Sequence, residues 1–357
     1  MSIVIAAGGT GGHVMPALAV AEALRQRGAE VSFITARGRG GEGLAAAEGY
    51  GERSIPLRGF QRKPTPRNLA VLGMAALAVP RALGALARAR ADAVVTAGGY
   101  MAGPVALAAA ITRRPLVAME ADSHMGLANR IIAPLARRVM LAWPLRRRAS
   151  AKYLVTGRPV RAAVRAATRT AGRRAFGIPP DATLVVVVGG SQGARTLNVA
   201  AVEAFGDTPP FHVIHVAGPG QVDEVRGMLA GRNPGEHYRL EPYLDNLQDA
   251  IAAADLVVSR AGGSVFELAA IGRPSILVPY PFATADHQTQ NARWLADAGA
   301  AVLLPDADCT GERLRALVGA LLADRHRLEH MAESAKAMGK ADAADRIADA
   351  VLELLHR

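Results

Sequence analysis

The chain has 357 residues, a length that fits two domains, each able to bury an ordinary core. Half of it is apolar, 20% is charged and 4% is aromatic, which excludes a disordered chain and argues against a nucleic-acid binder built on stacked rings. The net charge of +11 points to a polyanionic neighbour (phosphorylated substrate, anionic membrane or nucleic acid), although the abundance of Ala, Arg and Gly also fits plain genome composition.

In chain order the first half alternates strand and helix patterns. These are Ile3–Ala7, Ala17–Arg27, Val31–Thr35, Gly43–Glu48, a basic loop, Leu69–Arg90, Ala93–Ala97, Pro104–Ile111, Leu116–Met119, His124–Arg137, Val139–Ala142 and Tyr153–Val155. The second half repeats the rhythm, with strands expected at Leu184–Val188, His212–Ala217, Tyr238–Glu241, Leu256–Ser259, Ser275–Val278 and Ala301–Leu304. Strands joined by crossover helices imply parallel, doubly wound sheets, hence an α/β chain of two Rossmann-like domains. The segment Thr156–Arg174, with Gly157, Pro159 and many arginines, reads as the linker. The domains are expected at 1–158, joined by a C-terminal helix within 341–357, and at 159–340.

Cys309 is the only cysteine, so an intrachain disulfide is excluded and a cysteine metal site is not expected. A strand beginning at Ser2 leaves no room for a signal peptide, and the longest apolar runs fall short of the roughly 20 residues of a spanning helix. The expected location is the cytosol or the cytosolic side of a membrane.

Two glycine-rich strand-to-helix turns, one per half, carry most of the chemistry. The first is Gly8-Gly9-Thr10-Gly11-Gly12-His13 and the second is Gly189-Gly190-Ser191-Gln192-Gly193-Ala194-Arg195. A buried strand, a glycine turn and a helix start present backbone N–H groups at a positive helix end, which favours phosphate. Gly98-Gly99-Tyr100 adds a further turn on the same sheet edge as Thr10–His13, where ligands of open α/β sheets bind; the same glycines also suit close helix–strand packing. In Ser259-Arg260-Ala261-Gly262-Gly263-Ser264-Val265-Phe266-Glu267, Glu267 either closes a capping box with Ser264 or accepts ribose hydroxyls while the Gly262–Val265 amides hold a diphosphate. Asp286-His287-Gln288-Thr289-Gln290-Asn291 suits sugar hydroxyls, or is a solvated loop.

These motifs resemble those of the MurG family, the UDP-N-acetylglucosamine:lipid glycosyltransferases that make lipid II from lipid I in peptidoglycan synthesis, over nearly the whole chain. The resemblance implies a GT-B fold, two Rossmann-like domains facing a central cleft, with a C-terminal helix returning to the first domain. It implies a UDP-GlcNAc site drawn from Thr10, Gly11, Gly12, Asp122, Arg161, Ser191, Leu244 at the uracil, Gly262, Gly263, Ser264, Val265, Glu267 at the ribose, and Gln288 at the sugar. The acceptor, a polyprenyl-diphosphate-linked MurNAc-peptide, would have its diphosphate on Thr10, Gly11, His13, Gly98, Gly99 and Tyr100. Two departures fall around the donor sugar. The family's His-Glu-Gln-Asn stands here as Met119-Glu120-Ala121-Asp122, where an ionised Asp only accepts, and the turn before Glu267 is one residue shorter.

The expected reaction is an inverting displacement by the acceptor 4-hydroxyl, with helix N-termini and Arg161 stabilising the leaving diphosphate. No cofactor, metal or nucleic acid is expected. His13 is the first candidate base, with donation to an acceptor phosphate as its other reading, and Glu120 is the second candidate. Arg62, Lys63 and Arg67 beside Leu69, Leu72, Ala76 and Val79 form a basic-flanked apolar helix that suits an anionic membrane surface or a buried crossover helix. Competing readings are a transferase with another sugar or lipid acceptor, a UDP-GlcNAc 2-epimerase, a nicotinamide dehydrogenase and a non-catalytic UDP-sugar sensor. The dehydrogenase is disfavoured because neither glycine segment fits Gly-x-Gly-x-x-Gly with a following acidic residue.

Overall fold

A computed structural model describes residues 1–8, 11–38, 41–59, 66–144, 150–283 and 286–356, with the side chains of 66–70 and 72 outside the description. Thr10, Arg62 and Lys63 therefore lie outside the described residues, as do the side chains of Arg67, Leu69 and Leu72.

The chain forms two compact units, residues Met1–Ala162 with Lys340–Arg357, and Ala163–Gly339. The first runs β1 (Ser2–Ala6), α1 (Gly11–Gln26), β2 (Glu30–Ala36), α2 (Leu44–Ala47), β3 (Gly51–Ile55), α3 (Pro66–Arg88), β4 (Ala93–Thr96), α4 (Ala102–Ile111), β5 (Leu116–Glu120), α5 (Leu127–Ile132), β6 (Arg138–Leu141) and β7 (Tyr153–Val155). After α6 (Ala162–Ala166) the second continues α7 (Arg169–Phe176), β8 (Leu184–Val188), α8 (Arg195–Phe205), β9 (His212–Val216), α9 (Val222–Leu229), β10 (Tyr238–Glu241), α10 (Leu247–Ala253), β11 (Leu256–Ser259), α11 (Ser264–Ile271), β12 (Ser275–Leu277), α12 (His287–Asp297), β13 (Ala301–Leu303), α13 (Gly311–Ala323) and α14 (Arg325–Met338). α15 (Ala343–Glu353) belongs to the first unit.

Both sheets are parallel, in the orders β3-β2-β1-β4-β5-β6-β7 and β10-β9-β8-β11-β12-β13. In the first sheet the side-chain alternation of β1 divides the core. Ile3 and Ile5 pack with Leu18 and Leu24 of α1 and Ile347 and Val351 of α15, whereas Val4 and Ala6 pack with Ala78, Ala82 and Leu86 of α3 and Val105 of α4. Helices thus cover both faces, which is why the buried strands read as continuous apolar runs. Burying Ile347 and Val351 stabilises the return of α15 by about 1.5–3 kcal/mol each. The Arg27 guanidinium then pairs with Asp345 at 3.0 Å and Asp349 at 2.7 Å.

Three details differ from the sequence expectation. The first unit extends to Ala162 rather than 158, because Arg158 and Arg161 are both fastened to it. The basic loop contains β3, a polar edge strand whose Glu52 accepts from Thr35 Oγ1 at 2.6 Å and from the Gly43 and Ala46 amides at 2.9 and 3.0 Å, tying down the start of α2. The helix expected over His124–Arg137 is only Leu127–Ile132, since the Glu120 carboxylate holds residues 122–126 as a loop.

Candidate active site

In each sheet the strand order reverses at one place, β1/β4 in the first and β8/β11 in the second. All four glycine turns follow these four strands, at their carboxyl ends, where the crevice of an open α/β sheet lies. Each domain thus carries two glycine turns side by side at this edge.

In the first domain, Gly98 and Gly99 adopt φ of +83° and +72°. A Cβ at Gly99 would lie 2.3 Å from the Gly8 carbonyl oxygen, and one at Gly98 would lie 3.2 Å from His13 Cδ2 and 3.5 Å from Asn129 Nδ2. The packing role and the chemical role therefore coincide: the glycines join the β1 and β4 turns and leave room for the imidazole. His13 stands in the first turn of α1. Burial lowers its pKa below the usual histidine value; the Asp122 charge opposes this shift and the Arg158 charge adds to it. The ring is neutral at pH 7 and so keeps one nitrogen as an acceptor.

Glu120, at the end of β5, is buried, and burial raises its pKa against the hydrogen bonds it accepts. Oε2 accepts from Asn129 Nδ2 and from the Gly126 amide, both at 2.9 Å, and Oε1 accepts from the Asp122 amide at 3.1 Å. Its geometry is that of a loop organiser. Asp122 stays partly exposed, with its carboxylate 3.8 Å from Arg158 Nη1.

Two arginines of the Gly157–Arg161 segment take different places. Arg158, 9% exposed, donates from Nη2 to the Gly12 carbonyl at 2.7 Å and from Nη1 to the Ala121 carbonyl at 3.0 Å, so it spans the β1 and β5 turns. Arg161, expected at the donor diphosphate, instead bonds Glu22 through Nε at 2.6 Å and Glu48 through Nη1 and Nη2 at 2.6 and 2.8 Å. Nε, Nη1 and Nη2 of Arg161 are all engaged by these two carboxylates in this structure. Arg158 is the residue that sequence reading passed over.

In the second domain, Gly190 and Gly193 have φ of +88° and +76°, and Gly190, Ser191 and Gln192 are exposed at the tip of the turn. Ser264 begins α11 rather than preceding it, and its hydroxyl donates to the Arg260 carbonyl at 3.2 Å, so the capping-box geometry is not formed. Glu267 lies half-buried in the first turn of α11. The Val265 amide donates to the Gly262 carbonyl at 3.4 Å, which turns it inward, away from any ligand outside the loop. Arg260 is buried and anchors this turn through Asp306 and the Val278 and Pro279 carbonyls. Asn291 donates to the Ala261 carbonyl at 3.0 Å, and Gln288 accepts from the Tyr280 amide at 2.9 Å with its Nε2 facing Gly262. Leu244 is buried and its neighbour Tyr243 is exposed.

The two halves match the N-terminal and C-terminal domains of glycosyltransferase family 28, over residues 3–141 and 184–347. The chain is 39% identical to a UDP-N-acetylglucosamine--N-acetylmuramyl-(pentapeptide) pyrophosphoryl-undecaprenol N-acetylglucosamine transferase of Desulforudis audaxviator, covering 99% of this chain and 98% of that one. It is 41% identical to the protein of that name from Nitratidesulfovibrio vulgaris strain Hildenborough, over 99% and 97% of the two chains. The crystal structure of Acinetobacter baumannii MurG superposes with a TM-score of 0.76 at 30% identity, covering 99% of both chains. The chain belongs to the MurG family. A Neisseria meningitidis UDP-GlcNAc 2-epimerase bound to UDP-GlcNAc, at 15% identity and a TM-score of 0.69 over 99% of this chain and all of that one, shares the fold alone.

One further feature of this MurG-family chain departs from the sequence expectation. On α3, Ala76 is exposed and Val79 half-buried, and large exposed apolar side chains between α3 and β6 include Leu77, Leu107, Ile111, Leu127, Ile131 and Leu135. Leu107 and Ile111 lie one helical turn apart on α4, as do Leu127 and Ile131 on α5, and α4 packs against both α3 and α5. Sequence reading found only the α3 part, because the apolar runs of α4 and α5 look like core until one face is seen to be uncovered. Among the described residues no helix is long and apolar enough to cross a membrane.

Proposed function

We propose that the chain transfers N-acetylglucosamine from UDP-GlcNAc to the 4-hydroxyl of the N-acetylmuramyl residue of lipid I, a polyprenyl-diphosphate-linked acceptor, giving lipid II and UDP. The observation that carries this reading is the doubled switch point: each domain offers paired glycine turns at the carboxyl edge where its strand order reverses, and each substrate contains a diphosphate. The first domain takes the acceptor diphosphate at Gly11, Gly98, Gly99 and Tyr100. The second takes UDP at Ser191, Gly262, Gly263 and Ser264, with Glu267 on the ribose, Leu244 at the uracil and Gln288 on the sugar.

In the inverting displacement, a hydroxyl oxygen attacks the anomeric carbon as the bond to the UDP oxygen breaks. The neutral His13 imidazole receives the hydroxyl proton. The amino ends of α8 and α11 face the charge that accumulates on the leaving diphosphate. Arg158 and Glu120 hold the β1 and β5 turns around that base. The first domain contacts an anionic membrane on its cytoplasmic face, where a polyprenyl acceptor resides, a reading supported by the exposed leucines and isoleucines of α3, α4 and α5 with exposed Arg113, Arg130 and Arg137.

The test is product analysis after incubation with UDP-GlcNAc and a short-chain lipid I analogue. A β-1,4-linked disaccharide lipid is expected. An α-linked product, or free N-acetylmannosamine with no acceptor consumed, would replace this reading.

A further inference from the structure

A chain of buried and half-buried polar groups leads to the glycine turn of the second domain. Asn198 on α8 and His215 on β9 are 1% and 0% exposed. Asn198 Nδ2 donates to the Ala217 carbonyl and to Gln221 Oε1, each at 2.9 Å. A carbonyl only accepts, so this orientation of the amide is forced, and Asn198 Oδ1 faces His215 Nε2 at 3.0 Å. Nε2 must then carry the ring proton. Nδ1 is left as an acceptor for the Tyr238 hydroxyl at 2.7 Å. At the other end, Gln221 Nε2 donates to the Gln192 carbonyl at 3.2 Å, inside the Gly189–Arg195 turn. Every donor points the same way, from the outer strand β10 toward the turn.

The backbone at the end of this chain is packed without slack. A Cβ at Gly193 would lie 2.1 Å from the Ala217 carbonyl oxygen and 3.0 Å from Gln221 Nε2, and one at Gly218 would lie 2.5 Å from the Gly193 nitrogen. The turns after β8 and β9 therefore touch backbone to backbone, and the Gln221 side chain is the clasp across them. The chain meets the exposed tip at Gly190–Gln192 only through the Gln192 backbone carbonyl.

We propose that Tyr238, His215, Asn198 and Gln221 form a positioning relay that fixes the Gly190–Gly193 turn in the shape that binds the diphosphate of a nucleoside diphosphate. This rests on the reading that the second domain's turn is the donor diphosphate site. The relay is a polar network with a buried centre at Asn198 and His215 and half-buried ends at Tyr238 and Gln221, and it ends on the backbone of the turn. Its contribution is to phosphate binding and not to uracil binding.

The experiment is calorimetric titration of the full chain with UDP and with uridine, which lacks the phosphates. Gln221→Met keeps the side-chain length and removes the clasp; Tyr238→Phe breaks the far end of the relay; Ser191→Asp puts a carboxylate on the turn itself. Ser191→Asp should abolish the advantage of UDP over uridine. Gln221→Met should weaken UDP about tenfold, and Tyr238→Phe about threefold, with uridine affinity held near wild type. If Ser191→Asp leaves UDP affinity intact, the diphosphate reading of the turn fails. If it abolishes UDP binding while Gln221→Met and Tyr238→Phe keep the wild-type UDP-to-uridine ratio, the relay fails and the reading stands. Equal losses for UDP and uridine would also overturn the relay, as they report general loosening of the domain.

Discussion

The Arg158 guanidinium donates to the carbonyl oxygen of Gly12 at 2.7 Å, and the reason lies four residues further along α1. In a regular helix that carbonyl accepts from the N–H of residue 16, but residue 16 is Pro16, which has none. Arg158 supplies the missing donor from the end of the first domain and, through the same guanidinium, holds the Ala121 carbonyl of the β5 turn.

Arg158→Ala should therefore cost about 2–4 kcal/mol of stability, since it removes charge-assisted bonds and leaves buried carbonyls unpartnered. In a Pro16→Ala background the helix can satisfy Gly12 itself, so the same substitution should cost about 1 kcal/mol less. Urea unfolding of the two single variants and the double variant checks this. Strictly additive losses would show that Pro16 and Arg158 are not coupled.

His13→Ala should lower kcat by about 10²–10⁴, the range for loss of a general base, with a smaller change in the KM for donor. Because burial depresses its pKa, the imidazole is in its basic form above that value, so kcat/KM should rise with pH through a point below the usual ~6.5 and then level. The acid limb should vanish in His13→Ala. A variant that keeps the limb would assign it to another group.

His215 gives a pH dependence of stability instead. Burial lowers its pKa to about 4, so the folded state keeps the ring neutral where the unfolded chain protonates it. Its contribution is complete above the unfolded value of ~6.5, falls as pH drops toward 4, and totals about 3 kcal/mol. Unfolding free energies measured from pH 7 to 4 should show this slope in the wild type and lose most of it in His215→Gln. An unchanged slope would place the acid sensitivity elsewhere.

Much of this was legible in the sequence, for physical reasons that differ by residue. The glycine turns declare themselves because positive φ and backbone contact at Gly98, Gly99 and Gly193 admit little else. The apolar stripe of α15 permits its return to the first unit without dictating it, and the family resemblance supplies the expectation. By contrast, nothing local separates Arg158 from Arg161; their roles are set by Gly12 and Ala121 in one case and Glu22 and Glu48 in the other, all distant in sequence. β3 escaped because Gly51-Glu52-Arg53-Ser54-Ile55 is a polar edge strand whose Glu52 works through tertiary partners. The Asn198–His215 network was hidden in stretches that read as ordinary helix and strand.

Leu127→Glu and Ile131→Glu change side chains that are 69% and 64% exposed, so each should alter stability by no more than about 0.5 kcal/mol. The double variant should bind vesicles containing phosphatidylglycerol at least about tenfold more weakly, since it removes apolar contact and adds repulsion. Sedimentation with such vesicles checks it. Unchanged binding would move the membrane contact off α5.

The most direct measurement of the central claim is the rate of UDP release with a short-chain lipid I analogue present and absent, in EDTA, using UDP-GlcNAc, UDP-GalNAc and UDP-glucose in parallel. The account predicts release that requires the acceptor, persists in EDTA and is fastest with UDP-GlcNAc, Asp122 notwithstanding. Acceptor-independent release, or tight UDP-GlcNAc binding with no release at all, would contradict it.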